Sequence, residues 1–202
     1  MSEDVMVKTV YGWGINDANY KISKGVQVDG KWKKTWVCPF YQKWASMLER
    51  SFSKGVKSRQ PTYDGCMVCD EWRYFSNFKK WMETQDWEGK ELDKDILFKG
   101  NRVYSPDTCI FLHPKVNTFV VDCGASRGEY MIGVYWHKAA GKFQSQCRSP
   151  FKKGKQYLGL FDTEIEAHTA WKNQKHIYAC QLADSEYVDD IRLAEALRTR
   201  YI

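Results

Sequence analysis

A run of alternating side chains constrains the fold of this chain more tightly than any other feature. Phe143, Ser145 and Cys147 alternate with polar residues, which is the period-two pattern of a strand with one buried face. Turn signals bound similar runs on both sides of this one. The pattern therefore predicts three short strands at 130–136, 142–148 and 156–161, separated by turns at 139–141 and 149–154.

A helix start follows the third strand directly. Thr163 with Glu166 three residues later is the signature of a capping box, in which the two residues satisfy each other's free backbone N–H groups. An apolar stripe continues at helical spacing through Ala167, Ala170, Trp171, Tyr178 and Leu182. These patterns predict a small antiparallel sheet packed on one helix, and a last short helix over 188–200.

The same alternation assigns a polar outer face to the predicted sheet. The apolar set, which includes Val134 and Trp136 of the first strand, must meet the helix, so side chains of opposite parity face outward. Such side chains reach phosphates and base edges, and a sheet can enter the major groove. An ordinary solvated sheet face has a similar composition. The outward residues, with the neighbouring Lys138, are Tyr135, His137, Gln144, Gln146, Arg148, Lys155 and Tyr157.

Positive charge is concentrated in this part of the chain. The whole sequence has 31 basic and 25 acidic residues, and this net charge of +6 permits a polyanionic partner without requiring one. Between 127 and 155, only Glu129 opposes seven basic residues: Arg127, Lys138, Lys142, Arg148, Lys152, Lys153 and Lys155. A cluster of this kind is expected of a phosphate-binding face, although a solvated surface loop would also account for it.

The residues of this region resemble a known DNA-binding family. The motifs are Gly133-Val134, Gly141-Lys-Phe143, Arg148, Pro150, Tyr157-Leu-Gly-Leu-Phe-Asp-Thr163, Glu166-Ala167 and Ala170-Trp171, and together they resemble the Apetala-two/ethylene-response-factor domain over about 55 residues. In that family the outer face of the sheet lies in the major groove, which implies the contacts named above. Tyr135 and His137 stand where arginines are usual, and Gln146 where a glutamate is, so the plant target sequence does not carry over.

The first part of the chain, to about 118, is rich in aromatic residues. Apolar spacing predicts helices over 40–52 and 75–82, joined by a polar connection over 54–63 that contains Gly55 and Pro61. The small residues of 122–128 predict a hinge between two domains.

Three aromatic and polar motifs in this part resemble a second family. They are Trp44-Ala-Ser-Met-Leu-Glu-Arg50; then Tyr63, Val68-Cys-Asp-Glu-Trp72, Phe75, Phe78 and Met82; then Leu92-Asp-Lys-Asp95, Gly100-Asn101, Tyr104-Ser-Pro106, Cys109 and Phe111. Together they resemble the HNH-type proteins of phages, whose signature includes Asp-Arg-Ile-Asp followed by Tyr-x-Pro and Cys. Many of those proteins carry an Apetala-type second half and are described as homing endonucleases.

An HNH nuclease needs a histidine to activate water, a metal ion and an asparagine that holds the loop. Lys94 stands where the histidine is usual, and a charged lysine is a poor base. Asp93 and Asp95 are candidate ligands for Mg²⁺ or Mn²⁺ if the protein is catalytic, Asn101 takes the loop role, and His113 is the nearest histidine. The alternative is that the carboxylates belong to a turn and Lys94 contacts phosphate without chemistry.

The seven cysteines are scattered, and only Cys66 and Cys69 form a Cys-x-x-Cys pair. A structural zinc would need Cys109 with Cys38 or His113 as further ligands, so buried thiols are the favoured interpretation and zinc is not expected. We expect no signal peptide, because the start of the sequence is acidic, and no membrane span, because no segment has the necessary length of apolar residues. We expect reduced thiols, a cytoplasmic location (host cytoplasm if a phage encodes the protein), no membrane partner and no small-molecule cofactor.

The sequence therefore predicts an α+β protein with two small domains. An HNH-like module covers 1–121, the three-stranded sheet on one helix covers 128–182, and a C-terminal helix lies in 183–202. The first functional hypothesis is a phage-type HNH homing endonuclease that reads duplex DNA with its C-terminal sheet and nicks it with a divalent metal. The alternative is a DNA-binding regulator or accessory protein without catalysis. A third hypothesis, outside DNA, is a host-interaction protein that uses exposed aromatic residues.

Overall fold

The computed structural model describes residues 8–121 and 128–202, in which the chain forms two compact units, Met1–Phe111 and Leu112–Ile202. Helices and short strands in both units make this an α+β protein, as predicted, and all of the strand pairs whose direction is defined are antiparallel except the parallel pair in 67–68 and 103–104. Within the described residues, no helix combines the length and the apolar composition that crossing a membrane requires.

The first unit begins with a β-hairpin that the sequence patterns did not predict. β1 (Ser23–Val28) pairs antiparallel with β2 (Lys31–Val37). Asp29 and Gly30 join them with φ values of 50° and 72°. Two consecutive residues with positive φ, in an Asp-Gly sequence, match the twist of the flanking strands in a tight hairpin turn.

Three α-helices follow the hairpin in the first unit. α1 (Pro39–Phe52) begins with proline, whose missing N–H costs nothing in the first turn, and α3 spans Phe75–Met82; both confirm predicted helices. The predicted connection over 54–63 is wrong, because it contains α2 (Lys54–Arg59) and a 3-10 turn. The side chain of Ser53 accepts a hydrogen bond from the Val56 N–H, which stabilises the start of α2.

An aromatic core holds the first unit together. On α1, Trp44, Met47 and Leu48 are fully buried, and Phe40 is partly buried against the same core. The indole N–H of Trp44 donates to the carbonyl of Trp72 at 2.7 Å, so this buried polar group is paired. Two pairs of very short strands complete the unit: β3 (Met67–Val68) with β5 (Val103–Tyr104), and β4 (Glu91–Asp93) with β6 (Ile110–Leu112).

The second unit contains the predicted sheet on a helix. β7 (Val134–His137), β8 (Lys142–Arg148) and β9 (Lys155–Phe161) form an antiparallel sheet in that order, and α5 (Glu164–Ala183) packs on it. The capping box is confirmed. β7 begins four residues later than predicted, because Gly133 has a φ of +81° and interrupts extended backbone.

Two further helices belong to the second unit. α4 (Pro114–Val120) lies in it, and the ring of Phe119 makes an edge contact with that of Tyr201 at 6.0 Å. The unit boundary lies between Phe111 and Leu112, whereas the predicted hinge lies further along the chain, with its residues 122–127 outside the described part. The last helix, α6 (Ile191–Thr199), is shorter than predicted because Asp190 caps it.

Candidate nucleic-acid interface

The inner face of the sheet packs closely on α5 through small residues. Val134, Ser145 and Cys147 are buried as predicted, and Ala167 of α5 is fully buried. Gly133 lies directly against Trp171, since a Cβ atom on Gly133 would stand 2.1 Å from the indole Cδ1. Trp136 is only partly covered: it pairs with Phe143 and contacts that ring, yet 42% of its surface is exposed. The prediction of Trp136 as an inward residue is therefore only partly right.

The outer face carries the predicted polar side chains in cross-strand rows. Tyr135 pairs with Gln144 across β7 and β8, and the neighbouring row joins Gln146 with Tyr157 across β8 and β9. Partners in an antiparallel pair share a face, so these four side chains lie on the surface opposite α5. Arg148 and Lys155 form the next row at the end of the sheet, and both are exposed.

A bulge in β9 changes which residues face outward beyond Tyr157. The register shifts between Ser145 and Gln146, because Gln146 pairs with Tyr157 whereas Ser145 pairs with Gly159. The extra residue reverses the alternation, so Leu160 pairs with Gln144 on the outer face and is 37% exposed. Leu160 was not predicted as a face residue, since a bulge leaves no mark in a period-two pattern.

Lys155 contacts Tyr135 on this face through a hydrogen bond and a cation–π interaction. The ammonium of Lys155 donates to the hydroxyl of Tyr135 at 2.6 Å and lies 4.7 Å from the centre of its ring. The lysine thereby reaches diagonally across β8, which places its charge in the middle of the face. A cation held over an aromatic ring remains available to a phosphate.

Two other predicted residues, His137 and Lys138, lie at the turn between β7 and β8. The Nδ1 atom of His137 accepts a hydrogen bond from the Ala140 N–H at 3.2 Å, so this ring stabilises the turn. Lys138 is exposed. In the basic loop before β9, the Ser149 hydroxyl accepts hydrogen bonds from two backbone N–H groups, which stabilises the loop. That loop also exposes Phe151, which was not predicted.

The HNH-like segment in the first unit forms a tight loop. Oδ1 of Asp93 accepts hydrogen bonds from the N–H groups of Asp95 and Ile96, at 2.9 and 2.8 Å. Burial, with a further contribution from the charge of Asp95, raises the pKa of Asp93. The Asn101 amide donates to the carbonyls of Lys94 and Val103, so its side chain spans the loop.

Lys94 is buried in this loop rather than exposed to a ligand. Its residue surface is 7% exposed, and its ammonium pairs with Oδ2 of Asp95 at 2.9 Å. Burial alone would lower the pKa of Lys94, but the hydrogen bond and charge of Asp95 outweigh it and raise the pKa. Lys94 is therefore protonated at neutral pH and cannot accept a proton.

The predicted base belongs to a different unit from the predicted metal ligands, Asp93 and Asp95. His113 belongs to the second unit, where its Nδ1 caps α4 and its ring lies tilted against that of Tyr187, with the ring centres 4.7 Å apart. One oxygen of Asp93 is engaged by two N–H groups, and one oxygen of Asp95 by a lysine. No group of three or more His, Cys, Asp or Glu side chains that could hold a metal ion exists among the described residues. Mg²⁺ and Mn²⁺ are usually held by one or two carboxylates together with water, so Asp93 and Asp95 stay the predicted ligands of such an ion.

The cysteine pair lies in the aromatic core. Cys66, Cys109 and Cys38 are buried, and Cys69 is partly buried. Burial raises the pKa of the Cys109 thiol to about 12 and also raises the pKa of Cys69. Both thiols stay protonated at neutral pH, which suits packing residues. The absence of zinc stays a prediction.

Comparison of this chain with protein-family models, with curated proteins and with solved structures finds no match.

Proposed function

We propose that this protein binds duplex DNA with the outer face of the β7–β8–β9 sheet. The observation that carries the proposal is a group of three neighbouring side chains on β8: Gln144, Gln146 and Arg148. Within the described residues, none of the three makes a side-chain hydrogen bond or an ion pair. The hydrogen-bond donors and acceptors of these side chains are therefore available to a ligand on one face of the sheet, opposite the face that α5 covers.

The chemistry of the face matches the edges and backbone of DNA. A glutamine amide pairs in two places with adenine, and an arginine with guanine, so β8 carries side chains able to distinguish bases. Lys155 and the exposed Lys152 and Lys153 supply charge for phosphates. An alternating strand presents these groups on one side only, which suits insertion of the sheet into the major groove.

A variant of the full chain with Gln144, Gln146 and Arg148 all changed to Ala tests this proposal. The probe is a duplex that the wild-type protein selects from a random-sequence pool, and affinity is measured by fluorescence anisotropy. Arg148→Ala alone should cost about 1–3 kcal/mol of binding free energy if it contacts a base, and the triple variant should lose more.

The matched control lies on the exposed side of α5. Lys172→Ala with Asn173→Ala removes one cation and one amide there, and should leave the affinity unchanged. Undiminished binding by the triple variant would exclude the outer face of the sheet as the DNA site.

We further propose that the first unit does not cleave DNA. The support is the protonated, buried Lys94 where a base is needed, and the engagement of Asp93 in a turn. A phage-type homing endonuclease, with Mg²⁺ or Mn²⁺, remains the competing function. Supercoiled plasmid carrying the selected site should stay intact with magnesium, manganese or cobalt. Nicking that Asp93→Asn abolishes, at unchanged DNA affinity, would instead establish a metal-dependent endonuclease.

A further inference from the structure

The β1–β2 hairpin exposes large apolar side chains on both of its faces. Trp32 is 62% exposed, Val26 50% and Trp36 42%. Of the thirteen residues in its two strands, only Ser23, Gly25 and Val37 are partly covered. Exposed aromatic and β-branched residues at this density, on an element that covers no core, indicate a surface for a partner.

The charge on this hairpin is mostly positive. The segment 21–37 contains one acidic residue, Asp29, and five lysines: Lys21, Lys24, Lys31, Lys33 and Lys34. Lys31, Lys33 and Lys34 are exposed and form no ion pair within the described part of the chain. The complementary partner is therefore a polyanion.

The register separates the two tryptophans. Gln27 pairs with Trp32, and Gly25 with Lys34, so these residues share one face. Val26, Val28, Lys31 and Lys33 lie on the other, together with Lys24, whose ammonium is 5.6 Å from the Trp36 ring. Both faces therefore carry lysine beside apolar groups. An element that inserts into a membrane surface would instead have one apolar and one basic face.

Trp32 is held in a position suited to stacking. A Cβ atom on Gly25 would stand 2.6 Å from the indole Cε2, so one side of the ring rests on the glycine backbone. Its large exposed fraction means that another side is open. A supported ring beside a lysine is the arrangement by which proteins bind unstacked bases of single-stranded nucleic acid.

We propose that the β1–β2 hairpin binds single-stranded DNA, with Trp32 stacking on an unpaired base, Lys34 on the same face contacting a phosphate, and Lys31 and Lys33 of the opposite face attracting the strand by their charge. This inference rests on the proposed function for DNA as the partner, and it adds a second, sequence-independent contact, made by the first unit with unpaired strand. Stacking tolerates every base, because each base has a flat π-face.

The experiment compares two probes with the full chain. One is the selected duplex with blunt ends, and the other is the same duplex with a single-stranded tail of about ten nucleotides, within the usual range for such sites. Wild-type protein should bind the tailed probe more tightly. Trp32→Ala should reduce affinity for the tailed probe by about tenfold and leave blunt binding unchanged, and Trp32→Phe should restore most of the loss.

Two further variants separate stacking from charge. Trp36→Ala, on the opposite face, should retain the preference for the tailed probe. Changing Lys31, Lys33 and Lys34 to Ala should weaken tailed binding and flatten its salt dependence, because fewer counterions are released. As a control, Lys54, Lys99 and Lys172, which are exposed outside the hairpin, are changed to Ala. This variant has the same change in net charge and should keep the preference for the tailed probe.

Equal binding of both probes by the wild-type protein would overturn the inference, as would a Trp32→Ala variant that keeps the preference for the tail. Binding of the hairpin to phosphatidylserine vesicles, lost in Trp32→Ala while tailed DNA binding persists, would overturn it in favour of a membrane surface. A failure of the proposed function is recognised separately. In that case the variant with Gln144, Gln146 and Arg148 all changed to Ala would bind the blunt duplex as tightly as the wild-type protein does.

Discussion

Single residues decide how closely the sheet approaches α5. Gly133 combines a φ of +81° with direct contact between its backbone and the Trp171 ring, so no other residue type satisfies both demands. Ser145 is fully buried in the same layer, and its hydroxyl has no hydrogen-bond partner among the described residues. Small side chains at these positions bring helix and sheet together, and this packing holds Gln144 and Gln146 on the opposite face.

Gly133→Ala should destabilise the protein by at least about 2 kcal/mol, because it adds left-handed backbone strain to a clash with Trp171. The measurement is the free energy of unfolding in urea. Gly141→Ala is the matched control, since Gly141 also has a positive φ, of 61°, but no atom lies within 4 Å of its added Cβ. Equal losses from both changes would contradict the packing role of Gly133.

Asp93 should make stability depend on pH in a defined direction. Burial raises its pKa in the folded state above the ordinary 3.8, so the folded protein holds this proton more tightly than the unfolded chain. The contribution of Asp93 to stability is therefore present below pH 3.8 and is lost as pH rises through the raised pKa.

Asp93→Asn, which keeps one oxygen for the two N–H groups, should gain stability relative to wild type at pH 7 and show no such gain at pH 3.5. Urea unfolding at both pH values is the measurement, with Asp107→Asn at an exposed carboxylate as control. A loss of stability at pH 7 would show that the charge itself is required.

The longer elements with a buried face were predictable, whereas the short buried elements α4 and β6, and the elements without a buried face, were not. α3 and β8 have the predicted bounds, because each alternates apolar and polar residues with the period of its structure. β1 and β2 lack that alternation, since neither has a covered face, although Asp29-Gly30 was a hairpin signal. β3 and β5 have two residues each, too few to show any period. The burial of Lys94 depends on tertiary packing and leaves no sequence pattern.

The capping box is the strongest local signal for α5, and its removal should be measurable. Thr163 accepts from the Glu166 N–H, and the Glu166 carboxylate accepts from the Thr163 N–H. Thr163→Ala should cost about 1 kcal/mol of unfolding free energy. Thr169→Ala, at an exposed position within the same helix, should be close to neutral; an equal loss there would mean that helix propensity, not the cap, explains the effect.

At the scale of the whole molecule, the two units carry separate basic surfaces. The first unit has the β1–β2 hairpin and the second has the outer face of the β7–β8–β9 sheet, while the net charge of the chain is only +6. In the proposed binding of a polyanion, the local concentration of charge therefore matters more than the net charge of the chain. The aromatic core of the first unit supports its surface without supplying a metal site among the described residues.

Hydroxyl-radical labelling of the full chain, with and without its selected duplex, reports which face of the sheet and helix the DNA covers. Tyr135 and Tyr157 are 44% and 57% exposed on the sheet, and Ile165 and Ile177 are 71% and 48% exposed on α5. If the outer face of the sheet binds DNA, the duplex should slow oxidation of both tyrosines and leave the oxidation rate of both isoleucines unchanged. Protection of the isoleucines, with both tyrosines oxidised as in the free protein, would contradict binding through this face.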